Sequence, residues 1–119
     1  MSLLQTPCEI KDPGYVEIRH TPSSDVAKGS VVVVGSQALV AIADVAANKE
    51  GSFVVEASKA RIAKDNTVAM TEGDEVFWDA TDDQVNKTAE SNTSCGFVLK
   101  AAAETDTEVD IVFRGLNKA

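Results

Sequence analysis

Residues 28–43 have the sequence KGSVVVVGSQALVAIA, and this stretch decides the fold class. Four consecutive valines, Val31–Val34, disfavour a helix because branching at Cβ restricts the χ1 torsion. They favour a strand, and such a run suits a strand that is buried on both faces. Gly35 and Ser36 form a turn that leads into a second apolar run over residues 39–43. The stretch therefore predicts two adjacent strands, over residues 30–34 and 39–43.

A short apolar helix over residues 38–47 is the alternative, since alanine and leucine favour helices. This segment is apolar on all sides, however, and it is too short to be stable without deep burial. We therefore prefer the strand.

Short strands and turns continue to the end of the chain. Residues 48–51 form a turn, so that residues 39–43 and 52–57 make a hairpin. Residues 60–70 contain helix-compatible side chains broken by Asp65 and Asn66, and we predict a helical turn or a loop there. The later predicted strands cover residues 75–79, 84–88, 95–100 and 108–113. About eight short strands with regular turns predict an all-β fold, a single compact β-sandwich or barrel.

Residues 1–25 differ from the rest and are predicted to form an irregular N-terminal arm, followed by one β domain over residues 26–119. Pro7, Pro13 and Gly14 interrupt this segment and leave room for one short strand, residues 15–19. Such an arm can order when a neighbouring surface covers its apolar side chains. The alternative is a frayed terminus with one edge strand.

Seven residues are candidates for contacts with other subunits. Trp78 is expected mainly to anchor the core, and a role as a contact hot spot is the alternative. His20 lies where the arm meets the body and is expected at the surface or in an interface. The full candidate set is Leu3, Leu4, Ile10, Tyr15, Ile18, His20 and Trp78.

Charge and hydropathy exclude several kinds of partner. The formal net charge is −8, and the basic residues alternate with acids, whereas a nucleic-acid binder needs a concentrated Lys/Arg patch. No apolar run reaches the roughly 20 residues of a membrane helix, and the N-terminus MSLLQTPCEIKDPG lacks the pattern of a secretory signal. We expect a soluble chain made in the cytoplasm, with no nucleic-acid and no membrane partner.

Residue patterns that carry chemistry are weak in this sequence. The single histidine, His20, has no cysteine or carboxylate at ligand spacing. Cys8 and Cys95 form no CxxC pair and are expected to be reduced. Acids at 72–75 and 79–83 are typical of β-turns, with a calcium site or an acid pair as the alternative. The sequence predicts no catalytic residue, no metal site and no cofactor.

The ordered set of motifs resembles a known family. Lys28 to Val32, Ala41 to Asp44, the Glu50-Gly51 turn before Phe53, and above all EGDEVFWD at residues 72–79 are similar to the small phage capsid cement, or decoration, proteins. A Gly-containing strand, CGFV at residues 95–98, and a Val-rich one, VDIVF at residues 109–113, complete the pattern. The resemblance runs from Lys28 to Gly115, and residues 1–25 extend beyond it.

This resemblance implies a β fold that assembles as a homo-oligomer, a dimer or a trimer, on a tailed-phage capsid. It implies the major capsid protein as partner, a place on the capsid surface and synthesis in the bacterial host cytoplasm. Members have been labelled recombinase-like, but the phosphate-binding loop of such an enzyme is absent here. The alternatives are a β-barrel module that binds glycans or peptides and, third, a hydrolase that uses Asp79, Asp82 and Asp83.

Overall fold

The computed structural model describes residues 8–11, 15–89 and 92–114. This part of the chain contains strands and turns and no helix, so the all-β prediction is confirmed. Nine strands form a curled antiparallel half-barrel. They are β1 (Cys8–Ile10), β2 (Tyr15–His20), β3 (Val31–Val34), β4 (Gln37–Ala41), β5 (Gly51–Ala63), β6 (Glu75–Asp79), β7 (Gln84–Asn86), β8 (Thr93–Val98) and β9 (Glu108–Arg114).

The long strand β5 organises the sheet. Along the main path the strand order is β3-β4-β5-β9-β8-β6-β7, and β1 and β2 also pair with β5. Phe53 faces Ile18 of β2 on one side and Ala41 of β4 on the other. Farther along the strand, Ala60 lies between Ile10 of β1 and Ile111 of β9. Both edges of β5 are therefore occupied over most of its length.

Two hydrophobic cores lie on opposite faces of the sheet. The main core fills the inside of the curl, and its largest buried side chains are Trp78, Phe113, Ile62, Met70 and Ile111. The second core consists of Val26, Leu39, Ala41, Val45, Phe53 and Val55. Each large side chain that is removed from water contributes roughly 1.5–3 kcal/mol. Because successive strand residues point to opposite faces, β5 contributes to both cores.

The prediction that the valine run is buried on both faces is wrong. β3 pairs with β4 alone among the described strands and lies at the end of the sheet, where Val33 and Val34 are each 36% exposed. The strand that is buried on both faces is β5, in which Val54 packs in the main core and Phe53 and Val55 pack in the second one. Valine side chains favour strands wherever these lie in the sheet.

The prediction of a helical turn or loop at residues 60–70 is also wrong for residues 60–63, which belong to β5. β5 runs through Ala63, and pairing of Ala60 with Ile111 and of Ile62 with Val109 keeps these residues extended. Burial and pairing between β1 and β9 stabilise the extended conformation of these residues more than their helical propensity favours a helix. Residues 38–47 contain β4 and no helix, as preferred. The predicted hairpin forms, with Val40 opposite Val54.

Strands β6 and β8 bend the sheet around the main core. The pairing register shifts between Val76 and Phe77, and such bulges increase local twist. Gly96 lies opposite Val76 and Phe113 with a φ of +147°, which L side chains rarely adopt. A Cβ at this position would clash with the backbone oxygen of Val112. The backbones of β8 and β9 approach closely because residue 96 is glycine.

The curl is held at its open side by backbone hydrogen bonds between loops. Asp65 N–H donates to the carbonyl oxygen of Val85 at 2.9 Å, which links the end of β5 to β7. Met70 and Ala102 exchange two hydrogen bonds of 2.9 Å each. These contacts connect the chain after β5 to β7 and to the chain after β8.

Before residue 25, the described residues contain two strands, one more than the sequence predicts. β2 covers the predicted strand, and β1 lies beside the far half of β5. Cys8 in β1 is 2% exposed, belongs to the main core, and donates its N–H to Gly29 O at 3.1 Å. The division into an arm and a domain at residue 25 stays a prediction.

Candidate interaction surface

Three of the predicted contact residues lie on β2. Tyr15 is 38% exposed, and its neighbour Val16, which is outside the predicted candidate set, is 51% exposed. Ile18 is half-buried and packs against the second core. His20 is also half-buried, and its ring meets Phe53 edge-to-face with 5.4 Å between centroids. Tyr15 is the member of this group that offers the most surface to a partner.

The other predicted contact residues are placed differently. Leu3 and Leu4 lie outside the described residues. Ile10 is half-buried and packs against the main core. Trp78 is 1% exposed and fills the main core, which is the anchoring role that the sequence favoured. Its side chain presents no surface to a second subunit in this conformation.

An open groove of about 540 Å³ lies between β3 and the segment that joins β2 to β3. One wall consists of residues 20–27, and the other consists of Ser30, Val32, Val33 and Val34. Asp25 is the one carboxylate in the lining, and its Oδ1 accepts a hydrogen bond from Ala47 N–H at 2.9 Å. The groove therefore combines an apolar strand with a mixed wall, in which Thr21, Ser23, Ser24 and Asp25 are polar.

The backbone of β3 borders this groove with an outward-facing edge. Gly35, with a φ of +62°, opens the two-residue turn of the β3-β4 hairpin, and Val34 faces Gln37 across it. In such a hairpin the pair next to the turn is hydrogen-bonded and the bonding alternates thereafter. Ala41 N–H accordingly donates to Ser30 O at 3.0 Å. The N–H and C=O groups of Val31 and Val33 thus point away from β4.

A second apolar surface lies on the outside of the curl. Phe97 is 42% exposed on β8 and lies opposite Val112 of β9, while Leu99, just after β8, is 37% exposed. Leu99 N–H donates to Asp110 O at 2.9 Å, which fixes this residue beside β9. Phe97 belongs to the CGFV motif at residues 95–98, but the sequence pattern does not predict its exposure.

Groups with chemical reactivity are buried or engaged in turns. Cys8 and Cys95 form no disulfide and lie in the main core. Burial raises the pKa of both thiols, to about 12 for Cys95, so neither is a nucleophile at neutral pH. Asp79 Oδ1 accepts hydrogen bonds from the N–H groups of Thr81 at 2.9 Å and Asp82 at 3.3 Å. This carboxylate caps its own turn, as acids in β-turns commonly do.

Lys64, which no sequence pattern singles out, is 2% exposed and lies directly after β5. Its Nζ donates to the carbonyl oxygens of Asp65 at 2.7 Å, Glu104 at 3.1 Å and Asp106 at 3.2 Å. Burial lowers the pKa of this ammonium group, and nearby carboxylates, that of Asp106 first, oppose the shift. Lys64 therefore joins the loop after β5 to the loop before β9.

The described residues contain neither a group of side chains that could hold a metal ion nor a helix that could span a membrane. In residues 8–11, 15–89 and 92–114, His, Cys, Asp and Glu form no group of three that could hold a metal ion. Within the same ranges, no helix has the length and apolar character that crossing a membrane requires.

A model of the phage cement protein family matches residues 11–113 of the chain. The match begins well before Lys28, so it includes part of the segment that was predicted to lie outside the resemblance. No curated protein and no solved structure matches the chain. The match covers most of the chain and includes β2 to β8 and most of β9, so the chain belongs to the phage cement protein family, whose members are structural proteins of the capsid.

Proposed function

We propose that this protein binds the outside of a tailed-phage capsid and stabilises contacts between major capsid subunits. The observation that carries the proposal is the family match over residues 11–113, because cement proteins have a structural role in the capsid. The fold supports it: a rigid β body with two cores leaves apolar side chains of β2, β3 and β8 exposed at its surface. Exposed apolar groups of this kind favour protein–protein contacts.

The protein acts in this proposal by binding and not by catalysis. It requires no cofactor, and its partners are the major capsid protein and further copies of itself. The family match gives no support to the alternative of a glycan- or peptide-binding module. Synthesis takes place in the host cytoplasm and is followed by attachment to the capsid surface.

Charge distribution supports a protein partner over a nucleic acid. In the part of the chain that the structure describes, four basic side chains lie within 3.5 Å of a carboxylate oxygen. They are Lys11 with Glu9, Arg19 with Glu50, Arg61 with Asp110 and Lys87 with Asp74. These pairs reduce the positive potential that phosphate binding would need in a chain of net charge −8.

Self-association, as a dimer or a trimer, is part of the proposal. The exposed residues Phe97 and Leu99 offer one apolar surface for it. An oligomer gains affinity for a lattice because several sites bind at once. Sedimentation equilibrium of the purified protein gives the state directly: a mass two or three times that of one chain supports this part, and a monomer contradicts it.

Binding to shells tests the proposal as a whole. Expanded shells of the cognate phage, assembled without this protein, are mixed with increasing amounts of it and sedimented through a sucrose cushion. Saturable binding at a fixed ratio to the major capsid protein is expected, with unexpanded shells as the comparison. If the protein stays in the supernatant at every concentration, the proposed function is wrong.

A further inference from the structure

We infer that the outer edge of β3 binds an extended segment of the major capsid protein, which pairs with it as an additional strand. The inference rests on the proposed function, since that function supplies the partner. It assigns the contact to the backbone of Val31 and Val33 and to the adjoining groove.

Hydrogen-bonding groups of the right kind are available at this edge. The register of β3 against β4 turns the N–H and C=O of Val31 and Val33 outward, and among the described strands none pairs with them. An incoming strand bonds to such groups through its own backbone, which provides affinity with little demand on its sequence.

β3 also lacks the features that protect the other strand edges. β2 carries Glu17 and Arg19 and has a register shift after Val16, and charges and bulges both discourage pairing. β7 is three residues long, and its Val85 carbonyl already accepts the N–H of Asp65. β3 consists of four valines, without charge, proline or bulge. An unprotected apolar edge in a stable protein indicates a site for strand addition.

The groove beside β3 indicates the chemistry of the partner segment. Its lining carries one acidic residue, Asp25, and the whole chain has a net charge of −8. An uncharged or basic segment is therefore favoured over an acidic one. The exposed side chain of Val34 offers apolar contact to such a segment.

Proline at position 33 tests the backbone contact. The Val33 N–H points away from β4, so Val33→Pro removes an outward donor and leaves the hairpin bonds in place. Val33→Ala is the matched control, because it shortens the side chain and keeps the N–H. We expect Val33→Pro to weaken binding to expanded shells at least about tenfold, since the lost hydrogen bond leaves a partner carbonyl unpaired. Val33→Ala should bind within about threefold of the wild type.

The outcomes separate this inference from the function on which it rests. If the wild type fails to bind shells, the proposed function is wrong. If the wild type binds and folded Val33→Pro binds equally well, the strand-addition site alone is wrong. Circular dichroism and the melting temperature establish whether the proline variant is folded.

If the proline variant does not fold, cross-linking tests whether the edge of β3 binds the major capsid protein. The chain has two cysteines, both buried, so Val33→Cys provides an exposed thiol that benzophenone maleimide labels selectively. The labelled protein is bound to shells and irradiated, and cross-linked peptides are identified by mass spectrometry. A cross-link to one segment of the major capsid protein supports the inference. A cross-link to a second copy of this chain, or none to the capsid protein, overturns it.

Discussion

Two strands of this protein that contain consecutive valines, β5 and β3, have opposite positions in the sheet. In β5, Phe53 and Val54 are 0% exposed, and neighbouring strands pair with both edges. In β3, Val33 and Val34 are 36% exposed, and one edge has no described partner. The difference comes from chain connectivity, because β3 is the outer strand of a hairpin whereas β5 has strands on both sides. Similar side chains thus build the core in one place and a contact surface in the other.

The largest expected contrast comes from truncating one side chain in each segment. Phe53→Ala should lower the free energy of unfolding by about 3–5 kcal/mol, because it opens a cavity in the second core. Val33→Ala should lower it by less than about 1 kcal/mol, because that side chain is already partly in water. Urea denaturation followed by tryptophan fluorescence measures both values. Equal losses would contradict the distinction between centre and edge.

Alanine should be more destabilising at Gly96, inside the sheet, than at Gly35, in the turn after the edge strand β3. Gly96→Ala combines an unfavourable φ of +147° with a clash against Val112 O, and we expect a loss of roughly 3 kcal/mol or more. Gly35→Ala meets no atom within 4 Å and should lose about 1–2 kcal/mol from its φ of +62°. Thermal denaturation gives the melting temperatures of the two variants. If Gly96→Ala melts at a higher temperature than Gly35→Ala, β8 and β9 can separate without loss of stability.

Two lysines of the β5 region provide a third contrast, between a buried and an exposed cation. Lys64→Met leaves three backbone carbonyls without their donor and should destabilise the protein by about 1–3 kcal/mol. Lys59→Met changes an exposed residue within β5 and should have little effect. Hydrogen exchange should show faster opening of residues 103–107 in Lys64→Met, and protection equal to the wild type would contradict the bridging role.

The smallest expected change in the free energy of unfolding comes from Asp74, which lies in a surface turn, and this change depends on pH. Hydrogen bonds from the Thr71 N–H and hydroxyl, then Lys87, lower the pKa of Asp74 below its ordinary 3.8. This group stabilises the fold above pH 3.8, and the contribution is lost as pH falls through its folded pKa. Asp74→Asn should reduce the difference in the free energy of unfolding between about pH 6 and about pH 2.5, as measured by urea denaturation at the two pH values.

Individual strands could be predicted where the pattern was local. Residues 75–79 were predicted as a strand and form β6, since turn-forming acids and glycine bound an apolar run. Residues 108–113 match β9 to within one residue because Val109, Ile111 and Phe113 alternate with polar side chains. Residues 60–63 could not be assigned, because their place in β5 depends on β1 and β9, which are distant in sequence.

The candidate surface was predicted less well than the fold. Tyr15 is exposed and His20 lines the groove, but Trp78 lies in the core. Val33 and Val34 were missed because four valines in a row are equally compatible with a central strand and with an edge strand. Exposure of Phe97 was missed because the bulge at Cys95, between the pairs Val76–Gly96 and Phe77–Ser94, sets the direction of side chains along β8.

The thermal stability of the capsid tests the central claim most directly. Expanded shells are heated with and without saturating protein, and release of the major capsid protein is followed by light scattering and sedimentation. If the protein cements the capsid, the disruption temperature rises with occupancy and reaches a plateau at saturation, and Val33→Pro at the same concentration gives a smaller rise. A disruption temperature that stays the same at full occupancy would contradict the account.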